Sequence, residues 1–266
     1  MRTSPPSNKL RDLSTQLRPA DNKFPLAQGS FSDVYRGILT QDNVDAQVAV
    51  KVFRVSKDEQ KNAVVFEHYH REVQAYELLH LNPHVAEVLG VATIGDKPAL
   101  VMKWYKNGDI THYLHLHPHV SVRQLTLDIV QGLKSLHSNY PPVVHGDVKP
   151  SNILVNDNGR AILCDFCSAY ILGGTKFTTA NLSGSCRSMA PELFPTIIDD
   201  DSPPAVPTTM SDIWSLGCTM AQVHHLSPKH IISCLAFSPN VVHHTQDTLS
   251  QSPSQLTSHP LRPERF

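Results

Sequence analysis

Apolar positions fall into two rhythms along the chain. Phe24 to Gly37 reads as two short β-type runs around a small-residue turn, and Gln47 to Phe53 is a β-branched run. Residues 61–80 switch to the helical rhythm, with Val65, Tyr69, Val73, Tyr76 and Leu79 at three- and four-residue steps. Val85 to Val91 and Ala99 to Met102 predict two more strands with Gly95-Asp96 as the turn between them. Asp109 to His117 predicts a short helix. Ser121 to Gln124 then opens a longer one with a capping-box pattern. Its stripe is Val122, Leu125, Ile129, Leu133 and Leu136, ending near Ser138. Ile153-Leu154-Val155 and Ala161-Ile162-Leu163 flank the turn Asn156 to Gly159, a hairpin signal.

Both ends lack such rhythm. Residues 1–22 read as a loose polar leader with one apolar patch at Leu10, Leu13 and Leu17. After Val223 no long amphipathic stripe appears, and Pro228, Pro239, Pro253, Pro260 and Pro263 break any helix. Ile231 to Phe237 is the one apolar stretch there, and residues 227–266 are expected to be a disordered Ser/His/Pro-rich tail.

Composition narrows the class. A chain of 266 residues, 40% hydrophobic, suits one two-lobed domain or two small ones. With 23 basic and 24 acidic residues, nothing suggests a nucleic-acid surface. Five cysteines without a repeated spacing argue against a disulfide framework and for a reducing compartment. No secretory signal and no apolar run near the ~20 residues of a membrane span is present, so a soluble cytoplasmic protein is expected.

The chemistry concentrates in a few residues. Lys51 lies inside a β-branched strand, where a buried ammonium is costly unless partnered; the alternative is a lysine facing solvent. His115, His117 and His119 have a spacing that suits a metal only on an extended strand, and a solvated turn explains them as well. Cys164 and Cys167 form one C-x-x-C pair, open to a redox role or to two ordinary buried thiols. His145-Gly146-Asp147-Val148-Lys149-Pro150-Ser151-Asn152 sets an acid, a lysine and an asparagine in one short loop.

That loop resembles the catalytic loop H-R-D-x-K-x-x-N of eukaryotic protein kinases. Around it, in order, stand a phosphate-loop match at Ala27, Gly29, Ser32 and Val34, the V-A-I-K-like strand at Lys51, and Asp165-Phe166-Cys167 in the place of D-F-G. Ala190-Pro191-Glu192 matches A-P-E, and Ser211 to Gly217 resembles the start of the helix that follows it, whose Asp212 supports the catalytic loop from below. Together these resemble the serine/threonine type and its tyrosine-kinase-like branch.

The resemblance implies an α+β, bilobal fold with a small β-rich N-lobe and a mainly helical, incomplete C-lobe. Residues 23–226 form the kinase domain, with N-lobe 23–102, hinge 103–108 and C-lobe 109–226. It implies ATP and Mg2+ as cofactors, a protein substrate, and no nucleic-acid or membrane partner. Lys51 would grip phosphates, held by Glu72 rather than by Glu67 or Glu77 on the same helix. Ala49, Met102 (the gatekeeper), Leu154 and the backbone of Lys103 and Tyr105 would bound the adenine, with Trp104 either part of that wall or a packing residue. Asp147 would orient the substrate hydroxyl, Lys149 would neutralise γ-phosphate charge, and Asn152 and Asp165 would hold the metal.

Four departures qualify the match. Ala27 and Ser32 replace phosphate-loop glycines. Gly146 replaces the arginine that normally pairs with an activation-loop phosphate, so phosphorylation at Thr175, Thr178 or Thr179 is not expected to be the main switch. Cys167 replaces a glycine, and a side chain there is expected to restrict the backbone. The further C-lobe helices that the resemblance implies are not expected after Val223, which would leave Glu192 without its usual arginine and an apolar floor exposed. The expected function is phosphoryl transfer from ATP to protein serine/threonine. The alternative is a truncated, pseudokinase-like binding or scaffold module. A small-molecule phosphotransferase is disfavoured by Ala190-Pro191-Glu192 and Asp212.

Overall fold

In the computed structural model, which describes residues 10–20, 24–56, 58–173, 187–194 and 206–225, the β-type runs pair into one antiparallel six-stranded sheet. Its strands are β1 (Leu17–Pro19), β2 (Ala27–Gln28), β3 (Ser32–Gln41), β4 (Val44–Phe53), β5 (Val88–Ile94) and β6 (Lys97–Lys103). The order is β1-β3-β4-β6-β5, with β2 also on β3. Asp42 and Asn43, both at positive φ, turn β3 into β4 as a two-residue hairpin requires.

Alternation along β4 sorts its side chains. Val48 and Val50 enter a small core with Leu13, Leu39, Ala92, Ala99 and Val101. Ala49, Lys51 and Phe53 take the other face. The register sets Val34 opposite Lys51 and Ala49 opposite Met102, so these four share that face. Helix α1 (Glu59–Leu78) packs there; Asp58 caps it by accepting from the Gln60 and Lys61 N–H groups. The stripe predicted for α1 is present, but His68, Arg71 and Glu72 are buried with it.

Residues 10–20 of the leader correct the expectation of a loose segment there. Leu13 is fully buried, the Leu13 N–H donates to the Val91 carbonyl (2.8 Å), and the Val91 N–H donates to that of Arg11 (2.8 Å). The patch at Leu13 and Leu17 thus closes one face of the sheet, with about 1.5–3 kcal/mol from burying Leu13. Gly90 makes the approach possible, because a Cβ there would lie 2.4 Å from the Arg11 oxygen.

Beyond the sheet come α2 (Ile110–Leu116), α3 (Val122–His137), β7 (Val143–Val144), β8 (Ile153–Val155), β9 (Ala161–Leu163), β10 (Tyr170–Ile171) and α4 (Thr209–His225). All five stripe residues of α3 are buried. Its capping box does not form: the Ser121 side chain makes no cap bond, and Gln124 reaches Asp128 instead (3.1 Å). Asp128 is buried and accepts a bidentate pair from Arg160 plus the Ala161 N–H, which pins the β8–β9 hairpin onto α3. The Leu163 N–H and carbonyl bond to His84 and Ala86, joining that hairpin to the segment ahead of β5. The result is the expected α+β architecture of a β-rich lobe and a more helical one. Met210, Ile213 and Trp214 project from α4 into solvent, 69%, 47% and 50% exposed. Thr175, Thr178, Thr179, Gly184, Ser185, Cys186 and residues 226–266 lie outside the described residues.

Candidate active site

Lys51 reaches from β4 to the centre of the molecule. Its Nζ lies 2.8 Å from both Glu72 carboxylate oxygens and 2.8 Å from Asp165 Oδ1. The ammonium and Glu72 are buried, whereas the Asp165 side chain is 37% exposed. Burial alone would lower the Lys51 pKa, but Asp165, Cys167 and Glu72 around it raise it well above its ordinary value, so the lysine stays charged. Burial acts on Asp165 in the opposite sense, and the Lys51 charge and hydrogen bonds from Lys51 and Cys167 outweigh it, holding the carboxyl far below the usual range. Of the three glutamates on α1, Glu72 takes the lysine; Glu67 pairs with Arg71 (2.7 Å) and Glu77 accepts from the Leu10 N–H (3.2 Å).

The turn over the cleft is short. The Gly29 N–H donates to the Ser32 carbonyl (2.8 Å). Arg54 braces it by bonding the Gly29 and Ser30 carbonyls and Asp33. Ala27 is exposed opposite Val34, and Ser32 is buried. Beneath this turn lies a cavity of about 330 Å³ bounded by Asp147, Lys149 and Asp165. Ala49 and the buried Met102 are cross-strand partners on β4 and β6, and Leu154 lies half-buried in β8; these three are not among the residues that line this cavity. The Lys103 N–H is taken by the Glu87 carbonyl (3.0 Å), and the Tyr105 hydroxyl accepts from the Glu87 N–H (3.1 Å). Trp104 packs under the Arg36 guanidinium, 4.7 Å from its ring centre.

The catalytic-loop residues converge. Lys149 Nζ lies 2.6 Å from Asp147 Oδ2, and the Asn152 amide donates to the Asp147 carbonyl (2.8 Å) and to its Oδ2 (3.1 Å). Asn152 thus uses its amide hydrogens on Asp147, which leaves the amide oxygen for a metal. Asp212, buried on α4, accepts from the His145 and Gly146 N–H groups (2.8 and 2.9 Å) and pairs with His137 (2.8 Å). Thr219 donates to the Val148 carbonyl (3.1 Å) and Ser215 to that of Ser188 (2.7 Å). One helix therefore holds the loop and the chain ahead of Ala190. Phe166 packs between Tyr76 and His145, with ring centroids 5.0 and 4.8 Å away.

Two departures look different in three dimensions. Cys167 is not at positive φ; the positive φ, +66°, belongs to Asp165. Gly146 sits at φ +76°, and a Cβ there would meet the Ser168 carbonyl oxygen at 2.3 Å. Its lack of a side chain admits the strand after Cys167, which pairs as β10 with β7. Glu192 is exposed and has no ion-pair partner among the described residues.

Sequence reasoning missed His68, Arg71, Arg54 and the Asp128–Arg160 pair. His68 and Glu72 stand four apart on one helix, a spacing that marks a shared face; the other partners are remote or backbone groups. Among the described residues, the metal-type side chains that cluster in a three are Glu72, Asp165 and Cys167. Lys51 fills the space among them, so the cluster reads as a cradle for its ammonium. The His115–His119 run joins no such group. No helix among the described residues is long and apolar enough to cross a membrane.

The family model described as the protein kinase domain matches residues 22–237. The chain is 30% identical over 202 residues to mitogen-activated protein kinase kinase kinase 5 of Arabidopsis thaliana, covering 74% of this chain and 27% of that protein. It is 32% identical over 204 residues to serine/threonine-protein kinase PknK of Mycobacterium tuberculosis, covering 75% and 17%. The chain thus spans about a quarter or less of the length of these relatives. With a family match across most of its length and the lysine, glutamate and aspartates of the cleft gathered in the same order, the chain belongs to the protein kinase family.

Proposed function

We propose that residues 23–226, with residues 10–20 added to their sheet, form an ATP-dependent, magnesium-dependent kinase domain that phosphorylates serine or threonine in proteins. The observation that carries this reading is the joint placement of Lys51, Glu72 and Asp165 across the cleft from Asp147, Lys149 and Asn152. The name of the PknK relative supports the serine/threonine choice. The donor set fits the implied ligands: a cavity lined by loop backbone and a cation suits phosphates, and a carboxylate with an amide oxygen suits a hard divalent ion.

Bound ATP and magnesium supply the phosphoryl group and offset its charge. Lys51, fixed by Glu72, binds the α- and β-phosphate oxygens. Asp165 and Asn152 would hold the metal. Asp147 orients the incoming hydroxyl and accepts its proton, while Lys149 presents its ammonium to the γ-phosphate. Ala49, Val34 and Leu154 would contact the base, and Met102 would stand behind it. Gly29, Ala27 and Ser32 let the turn approach the phosphates.

Thermal unfolding of the purified chain with Mg-ATP tests this. A ligand at about 100 times its dissociation constant adds roughly 2.7 kcal/mol. The midpoint should rise, and rise less in Asp165→Ala; transfer of labelled phosphate to a generic serine/threonine substrate should follow and vanish in Asp147→Asn. A midpoint indifferent to Mg-ATP would overturn the proposal in favour of a scaffold.

A further inference from the structure

We propose that Cys167 is a positioning residue of the cleft, tying the Asp165–Cys167 segment to α1 through its thiol and its carbonyl. This rests on the kinase reading above. The thiol sulfur lies 2.9 Å from Glu72 Oε2 and 3.3 Å from Lys51 Nζ. A thiol beside a carboxylate that already binds an ammonium acts as a second donor to it.

The carbonyl adds the second tie. His68 Nδ1 donates to it at 2.9 Å and Arg71 at 3.4 Å. His68, Arg71 and Glu72 stand at three- and four-residue steps, so one face of α1 grips one residue at three points. The grip extends further: Phe31, at the tip of the turn over the cleft, stacks on His68 with centroids 3.9 Å apart. The turn, α1 and the Asp165 segment therefore meet around Cys167. A glycine at this position offers no thiol, and Glu72 would keep only the lysine.

The test uses the full chain as wild type, Cys167→Ala and Cys167→Ser. Amide hydrogen exchange of the α1 peptides and the Mg-ATP dissociation constant are measured for each, with thermal unfolding to establish that each folds. Loss of one hydrogen bond to a charged acceptor is expected to speed exchange and weaken Mg-ATP by about tenfold in the alanine variant. Serine, which keeps a donor, should stay near wild type. Alanine indistinguishable from wild type, or serine as poor as alanine, overturns the proposal. If alanine does not fold, His68→Phe removes the carbonyl donor while keeping a ring against Phe31, and the same faster exchange is expected; unchanged exchange there overturns it too. Exchange that follows this pattern in a chain that transfers no phosphate would sink the kinase reading and uphold the tether. Intact transfer with exchange indifferent to alanine would do the reverse.

Discussion

Replacing Asp212 by alanine should unseat the catalytic loop. Its carboxylate accepts the His145 and Gly146 N–H groups and pairs with His137. His145 is fully buried and Asp212 is 1% exposed, so water does not readily take its place. Each buried donor left unmatched costs about 1–3 kcal/mol, giving about 2–6 kcal/mol for the two amides. A domain holds only about 5–15 kcal/mol in all. At roughly 2–4 °C per kcal/mol for this size, the midpoint should drop by about 4–24 °C. Asp212→Asn keeps one acceptor oxygen and should fall between. Thermal unfolding followed by far-UV circular dichroism reads the shift. Asp157→Ala, a change at an exposed carboxylate paired with Lys106, is the control and should stay within about 0.5 kcal/mol. A shift for Asp212→Ala no larger than the control's would refute the reasoning, since the loop would then not depend on those bonds.

Gly146→Ala should cost at least about 1–2 kcal/mol from its left-handed backbone alone, more from the 2.3 Å approach to Ser168, and Gly146→Arg should do no better; urea midpoints check both. Leu13→Ala should cost about 2–5 kcal/mol in the same assay, which no loose leader would show. Burial holds the His68 imidazole below its ordinary 6.5 despite its bond to the Cys167 carbonyl. The unfolded chain therefore takes up this proton first as pH falls below about 6.5, and stability contributed by the neutral ring is lost on the acid side. The thermal midpoint of wild type should thus fall more between pH 7 and pH 5 than that of His68→Phe; equal falls would count against the burial of His68.

Much of this molecule is written in periodicity. The α3 stripe and the alternation through Lys51 could be read directly because each repeats a geometric step. The Lys51–Glu72 pairing and the Asp147–Asn152 loop were legible as an ordered set of residue types. What escaped reading depends on backbone partners or distant ones. Leu13 and Leu17 looked like a patch on a free end, since the hydrogen bonds to Val91 that seat them involve no side chain. His68 and Arg71 bind a carbonyl on Cys167, and Asp128 and Arg160 meet across 32 positions of chain. The Ser121–Gln124 pattern misled because the Ser121 side chain makes no cap bond and the Gln124 amide turns to donate to Asp128.

The Lys51–Asp165 contact spans 114 positions of chain. At synthesis rates of about 5–20 residues per second, the lysine is made roughly 6–23 s before its aspartate. β3 precedes Lys51, and Glu72 and β6 are made within that interval, so the nascent sheet can shelter the ammonium with a single carboxylate. The cleft's full charge set closes only when Asp165 arrives, so the buried lysine waits on its second carboxylate while the first already holds it.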